Sequence, residues 1–128
     1  MQFKDLKLLI RKQRKFYYSL GKITSSFYKK DVFLTASGFQ HLIRKSEKSY
    51  RLPQEQVFKL TRLKFIKETI EKGVEVQVRR GVKVKIRKKT RKMTRYTLQH
   101  KFNSRKVSVI VEEKEGWGDD KLRFLSVF

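Results

Sequence analysis

Apolar positions recur along this chain at two different periods, and the change comes at Gly73. From residue 2 to about residue 20, Phe3, Leu6, Leu9, Ile10, Phe16, Tyr17 and Leu20 repeat every three to four positions. That spacing predicts an amphipathic helix, with Lys4, Lys7, Arg11, Lys12, Arg14 and Lys15 on its other sides and Gly21 as a stop. Residues 24–31 are polar and read as a loop, and Val32-Phe33-Leu34 reads as a short extended segment. Thr35 or Ser37 can cap a second helix running to about Lys48, with Phe39, Leu42 and Ile43 as its apolar face. Arg51-Leu52-Pro53 interrupts the chain. Pro53 suits the first position of a third helix reaching about Lys72, and Val57, Leu60, Leu63, Ile66 and Ile70 form its stripe.

Beyond Gly73 the period is two, the signature of half-buried strands. Val74, Val76 and Val78 alternate with polar residues. Arg79-Arg80-Gly81 has the composition of a hairpin turn, and the next strand covers residues 82–88. Residues 88–92 read as a basic loop and 94–102 as another strand. Asn103-Ser104 marks a turn. Residues 107–113 are apolar enough for a central strand. Residues 115–120 form a loop, and 122–128 the last strand. Helices first and strands afterwards predict a single α+β domain over residues 1–128. Two to three N-terminal helices would pack on a four- to five-stranded antiparallel sheet.

Charge changes this picture from a generic fold to one with a partner. The chain carries 34 Lys and Arg against 12 Asp and Glu, a formal net charge of +22. The imbalance concentrates in residues 79–106, where 13 of 28 residues are Lys or Arg and none is acidic. In the strand over residues 82–88 the alternation puts Lys83, Lys85 and Arg87 on one face and Val82, Val84 and Ile86 on the other. Like charges side by side on a sheet repel, and a polyanion relieves that cost. The sequence therefore predicts a nucleic-acid surface formed by Arg44, Arg79, Arg80, Lys83, Lys85, Arg87, Lys88, Lys89, Arg91, Lys92 and Arg95. A purely solvated basic face is the simpler alternative. Without cysteine there are no disulfides and no thiolate chemistry. The residues before Ile10 are too interrupted by charge for a signal peptide, and no apolar run is long enough to span a bilayer. The expectation is a cytoplasmic protein without membrane insertion.

Only two histidines are available for proton transfer, His41 and His100. Metal-free cleavage of RNA needs a base for the 2′-OH, an acid for the leaving 5′ oxygen and cations for the phosphorane charge. On a continuous second helix His41, Arg44 and Lys45 fall at i, i+3 and i+4 and share one side. His100 alternates with Tyr96, Leu98 and Phe102. That side is either core, making His100 structural, or open, so that Tyr96 and His100 project together beside the basic patch as nucleic-acid contacts, with Tyr96 able to stack on a base. Glu112, Glu113, Glu115, Asp119 and Asp120 gather around Trp117 without a histidine among them, so neither a metal site nor a cofactor motif emerges.

Two short segments bear a resemblance. Val32-Phe33-Leu34-Thr35 followed by Gly38-Phe39-Gln40-His41-Leu42-Ile43, and the closing segment Lys121-Leu122-Arg123-Phe124-Leu125-Ser126-Val127-Phe128, resemble the barnase, EndoU, colicin D and RelE (BECR-fold) nuclease superfamily, in its phage and polymorphic-toxin branch. The resemblance covers residues 32–128, with residues 1–23 as an N-terminal helical extension. It implies a metal-independent endoribonuclease, a toxin that cuts tRNA or mRNA and is silenced by an acidic antitoxin or immunity protein. It implies His41 as acid or base, Ser126 as a phosphate contact, and Arg123 or a strand Arg or Lys as charge stabiliser; the helical reading adds Lys45 to the catalytic group beside His41. The competing expectation is a non-catalytic RNA- or DNA-binding protein, ribosome- or nucleoid-associated. A weaker third is a membrane-surface protein held by its first helix.

Overall fold

The computed structural model describes residues 3–46, 48–86, 88–114 and 121–128. Helix α1 (Phe3–Leu20) is followed by strands β1 (Lys22–Ser25) and β2 (Lys30–Phe33). Helix α2 (Ala36–Ile43) leads into a small hairpin of β3 (Arg44–Ser46) and β4 (Ser49–Tyr50). Helix α3 (Pro53–Leu60), a 3-10 turn (Leu63–Phe65) and α4 (Ile66–Lys72) come next. Four long strands complete the chain: β5 (Val74–Ile86), β6 (Lys89–Phe102), β7 (Arg105–Lys114) and β8 (Lys121–Val127).

The class is α+β, but the sheet differs from the expected one. It has six strands in the order β1-β2-β8-β7-β6-β5, and it is mixed because β2 runs parallel to β8. The polar segment expected as a loop is the β1–β2 hairpin. Thr24 Oγ1 donates to Asp31 across the strands at 2.6 Å, and Lys22 pairs with the same carboxylate at 3.4 Å. Strands of four residues with this polar content lack the apolar alternation that signals a strand, and β1 forms the sheet edge.

The helices also stop earlier than periodicity suggests. Thr35 caps α2 by accepting a hydrogen bond from Gly38 N at 3.2 Å. That helix ends at Ile43, and Arg44 is already extended (φ −121°, ψ 141°). The third helix is broken. Thr61 Oγ1 donates to the carbonyls of Val57 (2.8 Å) and Phe58 (3.2 Å), competing with the helix's own backbone bonds.

Arg79-Arg80-Gly81 is not a turn. The strand continues through it with a register shift between Arg79 and Val82, and Gly81 takes the positive φ (+64°) of the bulge. The reversal comes between Ile86 and Lys89, so the expected basic loop over 88–92 belongs mainly to β6.

One core fills the helix-facing side of the sheet. Leu98, Val107, Val109, Val111, Leu122, Phe124 and Val127 meet Phe39, Leu42, Leu60, Leu63, Ile66 and Ile70 there. Central β7 is as apolar as expected. Tyr17 ties α1 into this core: its ring packs on Phe39 (5.4 Å) and Phe124 (5.6 Å), and its hydroxyl donates to Thr35 O at 2.7 Å. Phe16, expected in the same stripe, is exposed instead, about a hundred degrees round the helix from buried Tyr17. A Cβ on Gly38 would meet Phe124 O at 2.5 Å and the Tyr17 hydroxyl at 2.7 Å. Only glycine lets α2 lie that close to β8.

Candidate catalytic and nucleic-acid site

Residues paired across neighbouring strands point to the same side. Val111 faces Phe124 and Tyr96 on the core side, so the next row points the other way: Arg79, Arg95, Glu112 and Arg123 stand side by side across β5, β6, β7 and β8. Glu112 is buried, and each of its oxygens has its own cation: Arg95 Nε lies 3.3 Å from Oε2 and Arg123 Nη2 lies 3.5 Å from Oε1. A single carboxylate therefore orients two guanidiniums in a row that remains net positive. Burial works against the charge of Arg123, and Glu112 supports it. Ser126, opposite Ile110, points to this same side.

Lys59 of α3 reaches Ser126. Its Nζ donates to Ser126 Oγ at 2.8 Å and to Val127 O at 3.3 Å, and stands 5.0 Å from the centre of the Phe128 ring. Ser126 is buried, yet a hydroxyl that accepts from Lys59 keeps its own proton to donate. Burial and the neighbouring Arg51 push the Lys59 ammonium down to about 8, with Glu55 opposing them.

His41, in the last turn of α2, is half-buried beside this group. Burial first, then the charges of Arg51, Lys59 and Arg95, push its imidazole down to about 4. It is therefore neutral at physiological pH. Arg51 also fixes the backbone of His41: Arg51 Nε donates to His41 O at 3.0 Å, and Arg51 N donates to Ile43 O at 2.8 Å. Glu55 holds Arg51 from α3 at 3.8 Å. His41, Arg51, Lys59, Arg95 and Ser126 thus form one electrostatic group built from α2, the connection ahead of α3, α3 itself, β6 and β8.

The other expected site residues lie apart from it or carry different contacts. Arg44 and Lys45 are not helical neighbours of His41, because α2 has ended. Arg44 stacks on Tyr50 (4.4 Å) and donates to its hydroxyl (2.7 Å), while exposed Lys45 sits 3.9 Å from Glu55. Tyr96 faces the core side. It packs on Tyr28 (5.1 Å) and donates to Glu113 at 2.7 Å, and its hydroxyl is pushed up to about 12, chiefly by burial. His100, on the same side of β6, stands edge-on to Phe102 at 4.9 Å.

The basic residues of β5 and β6 divide between two faces. The bulge at Arg79–Val82 reverses which alternate positions face the core side. Lys83 lies opposite Lys92, with Lys85 next along, while Lys89 and Arg91 share the Arg95 side. Arg80 is exposed at the bulge and Lys88 at the hairpin tip. Arg87 and the segment expected as a loop, with Glu115, Trp117, Asp119 and Asp120, lie outside the described residues.

Lys59 and Arg51 did not stand out in the sequence. Lys59 sits at the margin of the third helix's apolar stripe, where a lysine ordinarily snorkels to solvent. Its only signal is position, directly before buried Leu60. Among the described residues no three His, Asp or Glu side chains gather as a metal site, and no helix is long and apolar enough to cross a membrane. No family model, curated protein or solved structure matches this chain.

Proposed function

We propose that this protein is a metal-independent endoribonuclease of the BECR-like type, cutting RNA by attack of a 2′-OH on the adjacent phosphate. The observation that carries the reading is a neutral, half-buried histidine held among fixed cations. His41 is free of a proton at neutral pH under the charges of Arg51, Lys59 and Arg95, and Arg123 shares the Glu112 carboxylate with Arg95. A neutral imidazole can accept the 2′-OH proton, and preorganised guanidiniums can stabilise the charge that develops on the phosphorane. Binding of the phosphate offsets the cations that depress His41, so its basicity rises once substrate is present. Ser126 offers its remaining proton to a phosphate oxygen.

Exposed cations of the β5–β6 hairpin supply sequence-independent affinity for tRNA or mRNA. Among the described residues Lys83, Lys85, Lys88, Lys89 and Lys92 have no ion pair, which favours a phosphate backbone as their counter-charge. A nuclease of this kind acts as a toxin, and an acidic inhibitor would find a +22 surface by fast electrostatic capture.

The test is incubation with total tRNA and with an mRNA in excess EDTA, beside His41→Ala. Cleavage by the wild type should fall roughly a hundred- to ten-thousand-fold in the variant, with RNA affinity nearly unchanged. RNA retarded but uncut by both proteins would replace this reading with that of a nucleic-acid-binding module.

A further inference from the structure

A base alone does not complete this reaction. When the 2′ oxygen bonds to phosphorus and the P–O5′ bond breaks, the leaving alkoxide must take a proton. Lys45 is exposed and meets this group only at Glu55 (3.9 Å), and the described ring contact of His100 is with Phe102. Lys59 lies within it, and its amine is directed by two acceptors, Ser126 Oγ at 2.8 Å and Val127 O at 3.3 Å.

Resting on the ribonuclease reading, we propose that Lys59 is a catalytic residue, the general acid that protonates the leaving 5′ oxygen. His41 takes the 2′-OH proton, and the 2′ oxygen attacks phosphorus. The P–O5′ bond breaks, and an Nζ proton of Lys59 passes to O5′. The products are a 2′,3′-cyclic phosphate and a 5′-hydroxyl. Protonated His41 and neutral Lys59 then exchange with solvent, and no further reactant is needed.

The surroundings fit such a role. The groups that face the amine are His41 from α2, Arg51 ahead of α3, Glu55 on α3, and Ser126, the Val127 carbonyl and the Phe128 ring from β8. Arg95 of β6 acts on His41 through its charge. Burial and the positive charge of Arg51 outweigh the single carboxylate of Glu55, so the ammonium gives up its proton more readily than a solvated lysine does. Ser126 Oγ and the Val127 carbonyl hold two of its three protons, leaving the third for the substrate.

The experiment uses the RNA that the wild type cuts, prepared twice: once natural and once with sulfur replacing the bridging 5′ oxygen at the mapped cut. A thiolate leaves without a proton and needs no acid. Lys59→Ala and Lys59→Arg should each lose natural cleavage by about a hundred-fold or more, yet cut the sulfur substrate within several-fold of wild type. His41→Ala should fail on both. The alkaline limb of the wild-type rate profile should disappear on the sulfur substrate. Equal loss on both substrates in Lys59→Ala, or natural cleavage retained in Lys59→Arg, would reduce Lys59 to a phosphate-binding or structural cation and overturn the proposal. Failure of the wild type to cut any RNA in the preceding tRNA and mRNA assay would overturn the ribonuclease reading, and this proposal with it.

Discussion

At the scale of single residues, the site depends on two side chains held away from their ordinary protonation. His41 binds its proton near 6.5 in the unfolded chain and near 4 in the folded one. The unfolded chain therefore takes up the proton first, and stability falls as pH drops from about 6.5 through 4. Urea midpoints at pH 7 and pH 5 should diverge in the wild type and converge in His41→Gln. Equal divergence in both would assign the pH dependence elsewhere. Gly38 is the other decisive residue. Gly38→Ala puts a methyl against the Phe124 carbonyl and the Tyr17 hydroxyl, a backbone neighbour that cannot swing away. We expect a loss of about 1–3 kcal/mol in chemical denaturation, with reduced cleavage because α2 carries His41. An unchanged midpoint would show that α2 shifts freely on β8.

Among elements, the β5–β6 hairpin carries charge beyond what the fold needs. Lys83 and Lys92 stand directly opposite each other, an arrangement that costs stability in a sheet. Lys92→Glu creates a cross-strand ion pair and should stabilise the protein by roughly 0.2–1 kcal/mol. The same change should flatten the dependence of RNA affinity on salt by about one phosphate contact or more. Higher stability with an unchanged salt slope would remove this face from the RNA surface. Element boundaries were the least legible part of the chain. The breaks after Ile43 and at Thr61 come from caps and side-chain bonds to carbonyls, which a periodic pattern does not register. Arg79-Arg80-Gly81 carries the sequence signal of a turn because a turn and a bulge ask for the same residue, a glycine with positive φ.

For the whole molecule, +22 on 128 residues means that the folded chain repels itself. Raising sodium chloride from about 10 mM to about 150 mM shortens the screening length from roughly 30 Å to roughly 8 Å. The melting temperature should rise across that range, and inorganic polyphosphate should raise it further by mass action on the folded state. A melting temperature indifferent to salt would mean that ion pairs such as Glu112 with Arg95 and Arg123 already offset the repulsion.

By itself the sequence determined the α+β class, the apolar central strand, the hairpin ending at Asn103 and the concentration of cations between residues 79 and 106. Period, composition and turn chemistry are local properties, and they survive translation into structure. It also singled out His41, because histidines are few. Only the tertiary structure decided what stands around that histidine. Lys59 is 18 positions away in the chain, Arg95 54 and Ser126 85. They meet because Gly38 lets α2 settle on β8, and because strand pairing aligns Arg95, Glu112 and Arg123 in one row. No local pattern encodes such a meeting. The mixed sheet arises the same way, since the pairing of β2 with β8 joins segments about 90 residues apart.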